Sequence, residues 1–176
     1  MDKRLKRLII MNINLSQIAT IKSPFSNLEN MPVQPCGAKE YFATIEFKEK
    51  YVEGLADLNG FSHIYLIYYF HKIQKPKLKV IPFNDKTNTP RGVFSTRTPM
   101  HPNSIGMSLV ELVSVKKNIL TIKGVDILDG TPLLDVKPYI EHFDKIYGKV
   151  KNGWMHSSAH EVNSMRSDDR FIDTLK

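Results

Sequence analysis

The sequence predicts an all-β fold, a barrel or a sandwich, on three observations. Short strand-like runs separated by turn residues recur along the chain. Helical periodicity is confined to one stretch, so only one or two short helices are expected. The alternation of strands with long helices that a parallel sheet needs is missing. With 176 residues the chain can bury most of the apolar surface it exposes when unfolded.

The elements follow in order. Residues 17–21 form the first run, stopped by Ser23 and Pro24. Ala43, Ile45 and Phe47 alternate with Thr44 and Glu46, the period of a half-buried strand. Tyr51, Leu55 and Leu58 stand at helical spacing and predict a short helix over 50–58, ended by Asn59-Gly60. Residues 61–71, rich in aromatic and β-branched side chains, read as a central strand buried on both faces. Pro76, Pro82 and Pro90, with Asn84, Asp85 and Asn88, make 74–91 a loop, and 92–96 a short strand follows. Residues 107–115 and 119–125 form a hairpin through Lys116-Lys117-Asn118. In the run 132–137, Leu134 and Val136 fall on one face and Leu133, Asp135 and Lys137 on the other. After Pro138 the pattern weakens, and the polar tail, with the single tryptophan Trp154, reads as an irregular C-terminal extension. The expected division is a β-domain over 1–142 and an extension over 143–176.

Composition narrows the function. The longest apolar run, 64–70, is too short to span a bilayer, so no membrane partner is expected. The basic start (Lys3, Arg4, Lys6, Arg7) is followed by too few apolar residues for a signal-peptide core. Cys36 is the only cysteine, which excludes an internal disulfide and a cysteine-built zinc site; the expected location is the cytoplasm. The net charge is +7, and residues 72–97 hold seven bases against the one acid Asp85. That segment suits a polyanion such as RNA; a solvated basic loop is the plainer reading.

No G-x-G-x-x-G, P-loop or nucleophile elbow occurs, which argues against a Rossmann-type nucleotide site and a serine hydrolase. His156 and His160 are four apart but have no evident third ligand, so no metal is expected. Two regions are dense in chemistry. Over 91–108, Pro99 and Pro102 stiffen a loop carrying Arg97, His101 and Asn103. Such a loop suits an anionic or polar ligand, or is a proline-rich connector. Over 124–139, Asp126, Asp129 and Asp135 stand among strand residues that disfavour aspartate. Asp129-Gly130 reads as a turn; Asp126 and Asp135 either meet a ligand or pair with Lys137 or Arg97.

Residues 92–112 and 124–139, the opening Ile18-x-x-Ile21-x-Ser23-Pro24-Phe25, Pro32-Val33-Gln34, and Gly60-Phe61-Ser62-His63-Ile64 through Phe70-His71 carry a resemblance. Together they resemble the TrmO/TsaA-like family of S-adenosylmethionine-dependent tRNA methyltransferases, over roughly residues 14–142. Where members often read R-S-x-x-R-P-N-P-I-G, this chain has Arg97-Thr98-Pro99-Met100-His101-Pro102-Asn103-Ser104-Ile105-Gly106, with His101 for arginine and Ser104 for proline.

The resemblance implies a small antiparallel β-barrel, and a homodimer with the cofactor S-adenosylmethionine near the subunit boundary. It also implies methylation of the exocyclic nitrogen of threonylcarbamoyladenosine beside the anticodon of tRNA. Cofactor contacts carry over to Pro32, Val33, Gln34, His71, Lys72, Arg97, Met107, Asp126, Ile127, Leu128 and Asp129. Methylating a conjugated amine releases a proton, for which Asp135 and His101 are the expected acceptors. Lys137 and Tyr139 are the expected residues to orient the acceptor, Tyr139 by stacking.

Overall fold

The computed structural model describes residues 12–168 apart from 74, 84 and 86. Its strands are β1 (Ala19–Lys22), β2 (Phe42–Phe47), β3 (His63–Tyr69), β4 (Lys79–Val80), β5 (Arg91–Gly92), β6 (Ile105–Lys116), β7 (Ile119–Lys123) and β8 (Thr131–Pro138). Two short helices follow, α1 (Glu141–Asp144) and α2 (Ala159–Ser164). Six strands close a barrel in the order β1-β2-β7-β6-β3-β8, every pair antiparallel, with β8 returning to β1. Of the two architectures the sequence allows, the chain takes the barrel.

Alternation along each strand fills the interior. Ala43, Ile45 and Phe47 of β2 point inward with Ile21, Ile64, Leu66, Leu120, Ile122 and Leu133. Each such aliphatic side chain contributes on the order of 1.5–3 kcal/mol by leaving water. Lys117, at φ 54°, turns the hairpin from β6 to β7. The tip is tied to β2, because the Asn118 amide donates to the Phe47 carbonyl (3.2 Å) and the Phe47 N–H donates back to the Asn118 carbonyl (2.8 Å).

Four expectations change. The 50–58 helix is a 3₁₀ segment, Glu49–Leu55, whose Leu55 is buried against the barrel. β3 is buried on one face only: Ile64, Leu66 and Tyr68 enter the core, while His63 and Tyr69 are exposed. Residues 93–95 make a 3₁₀ turn instead of extending a strand. The Ser95 and Thr96 hydroxyls donate to the Gly92 and Val93 carbonyls (both 2.7 Å), offering the backbone a turn in place of a ladder. In β8 the register against β3 slips by one residue, with Tyr68 opposite Leu133 and Ile67 opposite Asp135. Leu134 is the extra residue, so Leu133 and Val136 both reach the core, and Leu134 and Val136 do not share a face.

The basic stretch is not a bare loop. β4 pairs with β5, and Ile73, Val80, Val93 and Met100 make a second small core, joined to the first through Phe70. The Arg91 Nε donates to Asp85 (2.6 Å), and this contact, with the Thr87 hydroxyl, holds the buried Asp85 carboxyl down to about 2. Lys75, Lys77 and Lys79 stay exposed.

The extension is irregular but attached. Trp154 donates to the Ser95 carbonyl (2.9 Å), and its ring lies 5.3 Å from the Arg91 guanidinium. Arg166 bridges to Pro32, and Ser167 exchanges hydrogen bonds with Leu28, Asn30 and Met31. Gly37 lies so close beneath Asn163 that an added Cβ would sit 2.8 Å from that residue's carbonyl oxygen.

Candidate functional site

Between the barrel, the second core and the extension lies a cavity of about 810 Å³. The end of β3 and the start of β6 form one wall with Tyr68, Phe70, Gly106, Met107 and Ser108. Gly106 is required there, because a Cβ would overlap the Tyr68 ring and press on Phe70. The segment after β7 adds Asp126, Ile127 and Leu128; the loop around the 3₁₀ turn 93–95 adds Phe94, Arg97 and His101. Pro32, Val33 and Gln34 close the far side, with Trp154, Ser167 and Asp168 from the extension.

Every residue expected to touch the cofactor lines this cavity except Asp129. Asp129 instead ends β1: its Oδ1 accepts the Ser23 N–H (3.0 Å), its own N–H donates to Phe25 (2.8 Å), and Gly130 follows at φ 75°. The turn reading of Asp129-Gly130 accounts for that residue.

The cavity floor is a buried polar chain. Tyr68 donates to Ser108 (3.1 Å), which donates to Asp126 Oδ1 (3.1 Å). Burial pushes the Asp126 carboxyl up to about 6, against the opposing pull of the Ser108 hydroxyl and the Arg97 charge. Burial and the Asp126 charge raise the Tyr68 phenol far above its usual range, so it stays a donor. Burial, then the neighbouring Lys72 charge, lowers His71, which is therefore a neutral imidazole at pH 7. Arg97 is exposed and forms no ion pair among the described residues, with Asp126 and Asp135 included.

His101 lines the same cavity, its Nε2–H donating to the Thr96 carbonyl (3.2 Å), which leaves Nδ1 as the lone-pair nitrogen. Ser104, standing where a proline is common, has φ 49° and donates its N–H to the His101 carbonyl (2.9 Å). A proline has neither that φ nor that donor.

Asp135, Lys137 and Tyr139 lie outside the cavity, on the outer side of β8 and its end. Lys137 pairs with Asp135 (2.9 Å), both half exposed. Tyr139 packs beside His63 and Tyr65, ring centres 6.4 and 6.1 Å away. This outer face continues across β3 and β6 as an apolar strip: Tyr69, Ile105, Met107, Leu109 and Val113 are each at least 37% exposed. His156 and His160 are exposed, and among the described residues no three His, Cys, Asp or Glu side chains gather as a metal requires.

Sequence reasoning missed Tyr68, Ser108, Phe94 and the extension's contribution. A signal existed for Ser108, a hydroxyl among the inward positions Gly106, Val110 and Leu112 of an alternating strand. Nothing in the sequence pairs residues 31–34 with 166–168.

The tRNA-methyltransferase O N-terminal domain model matches residues 20–145. A probable S-adenosyl-L-methionine-binding protein of Pyrococcus abyssi is 46% identical over 155 residues, covering 88% of this chain and 83% of its own. The human tRNA (adenine(37)-N6)-methyltransferase is 28% identical, covering 93% of this chain and 39% of its own. The crystal structure of TrmO from Pseudomonas aeruginosa superposes with a TM-score of 0.69 at 33% identity, over 83% of this chain and 62% of that one. This chain thus spans less than two thirds of the solved relative and of the human enzyme.

Proposed function

Because the chain belongs to the tRNA-methyltransferase O N-terminal domain family, we propose that it is an S-adenosylmethionine-dependent methyltransferase whose acceptor is the exocyclic N6 of threonylcarbamoyladenosine, beside the anticodon of tRNA. The observation that carries this reading is the single cavity collecting Pro32–Gln34, His71-Lys72, Arg97, Met107 and Asp126–Leu128 from distant parts of the chain.

The residues fit the cofactor chemically. Arg97, a guanidinium without a carboxylate partner among the described residues, would take the cofactor carboxylate as a two-bonded fork. Asp126, held by Ser108, would accept hydrogen bonds from the amino or hydroxyl groups. Ile127, Leu128, Val33 and Met31 offer the apolar wall that an adenine ring needs. S-adenosylmethionine supplies a methyl group already activated on a sulfonium. The protein therefore mainly aligns the reactants and excludes water, which is worth up to about 7–11 kcal/mol in favourable cases. The His101 Nδ1 is the proton acceptor within the cavity.

A second copy of the chain covers the apolar strip of β3 and β6, making a homodimer. That boundary begins at Tyr69 and Ile105, includes Met107, which with Ile105 also lines the cavity, and borders Asp135, Lys137 and Tyr139. An acceptor entering across that boundary would instead meet Asp135 as its proton acceptor and Lys137 and Tyr139 as its orienting residues. Lys75, Lys77 and Lys79 attract the tRNA backbone. Residues 1–142 act as the barrel domain and 143–176 as its extension, in the cytoplasm where the tRNA substrate resides.

Mass spectrometry of tRNA nucleosides after incubation with protein and S-adenosylmethionine tests the reading. Gain of one methyl on threonylcarbamoyladenosine is expected. Methyl gain on another RNA or a small molecule selects a different acceptor, a reading that His101 in place of arginine favours. Saturable cofactor binding without product selects a non-catalytic binding module.

A further inference from the structure

Beside the large cavity is a second pocket of about 210 Å³, lined by Phe94, His101, Pro102, Asn103 and Ile105. Phe94, His101 and Ile105 line both spaces, so the two adjoin along these side chains. From this arrangement we propose that the small pocket is the seat of the acceptor base, an unstacked purine laid on the Phe94 ring and read at its edge by the Asn103 amide. The proposal rests on the methyltransferase reading above and names where its second substrate sits.

Four observations converge on it. Phe94 is 77% exposed, so most of its ring is open to a ligand. Its edge-on contact with His101 (centroids 5.7 Å apart, 70° between planes) sets the ring's orientation, as an aromatic platform requires. Asn103 follows Pro102 and precedes Ser104, whose N–H and hydroxyl both donate to the His101 carbonyl, so the loop is pinned on both sides. An asparagine amide offers one donor and one acceptor group, the pair that matches the edge of adenine. Finally, the Lys77 N–H donates to the Met100 carbonyl (3.0 Å), which runs the exposed Lys75, Lys77 and Lys79 alongside this loop. A base entering the pocket thus brings its phosphates to lysines. Single-stranded loops are recognised by this combination of stacking, edge hydrogen bonds and backbone charge.

The test uses the full chain with S-adenosylmethionine and an anticodon stem-loop RNA carrying 2-aminopurine at the acceptor position. Wild type should quench or shift the 2-aminopurine fluorescence on binding. Phe94→Ala should weaken RNA binding about tenfold to hundredfold, the loss of one stacked base, and Phe94→Tyr should restore it. Asn103→Ala, which touches only the small pocket, should raise KM for tRNA at least several-fold while the cofactor Kd measured by calorimetry stays unchanged. Wild-type-like RNA binding by Phe94→Ala together with an unmoved KM in Asn103→Ala overturns the pocket assignment alone. Wild type that binds no cofactor overturns the methyltransferase reading instead.

Discussion

Arg97 and Asp126 are two of the cavity's charged residues, and each has a distinct signature. Arg97 has no carboxylate partner among the described residues, so its removal exposes no buried acid and breaks no ion pair. Arg97→Lys keeps the charge but not the fork, and should lose about 1.5–3 kcal/mol of cofactor affinity, one to two decades in Kd, with Tm unchanged. Calorimetric titration and a melting curve on the one variant separate this from a structural role, which would move Tm and leave Kd alone. Asp126 behaves oppositely. Its carboxyl titrates near 6 in the folded chain against 3.8 when unperturbed, because burial disfavours the charge. A raised folded value means the native state binds the proton more tightly. The associated stability is complete below about pH 4, drains away as pH climbs through 6, and is gone above it. The loss amounts to about 3 kcal/mol. Asp126→Asn removes this slope, so chemical denaturation without cofactor should show the variant gaining on wild type between pH 4 and 7. Parallel pH profiles for the two proteins would show that Asp126 is solvated.

Among the elements, alternation was the readable feature. Ala43, Ile45 and Phe47 announced β2 because one face of that strand meets the core and the other water. β3 misleads because Tyr65, Ile67 and Tyr69 are apolar enough to look buried while standing on the outer face; composition does not tell a strand apolar on both faces from one buried on both. The slip at Leu134 was invisible, since a bulge is set by the partner strand's register and not by the residue that occupies it. For the site, the Arg97 and Asp126 segments were legible as local motifs. The Tyr68–Ser108–Asp126 chain was not, because it joins three strands or segments far apart in sequence. In the sequence the β4–β5 pair looks like loop, since two residues per strand leave no period to see. Its three exposed lysines carry a prediction of their own. Replacing Lys75, Lys77 and Lys79 with glutamine should weaken tRNA binding and flatten the plot of log affinity against log salt by about 2–3 units. Cofactor affinity should hold. A salt slope equal to wild type would make these lysines a solvated surface.

For the molecule as a whole, the exposed strip from Tyr69 and Ile105 to Val113 is the feature a lone barrel does not explain. Light scattering should report twice the mass of one chain at micromolar concentration, and Leu109→Lys, at the centre of the strip, should halve it with the barrel intact by circular dichroism. A wild-type monomer that binds cofactor fully would overturn the dimer. One further consequence comes from the Pro32–Arg166 bridge and the hydrogen bonds of Ser167 to Leu28 and Met31. The barrel is complete once β8 has been synthesised, yet the cavity's far wall waits for residues translated after it, which must return to a loop made before β2. Contacts so distant along the chain form slowly. A nascent chain that has emerged from the ribosome only as far as about residue 140 would therefore carry a closed barrel with an open-sided site. Competence to bind arrives as a separate, later event than folding, and the interval between the two is set by the pace of translation through the extension.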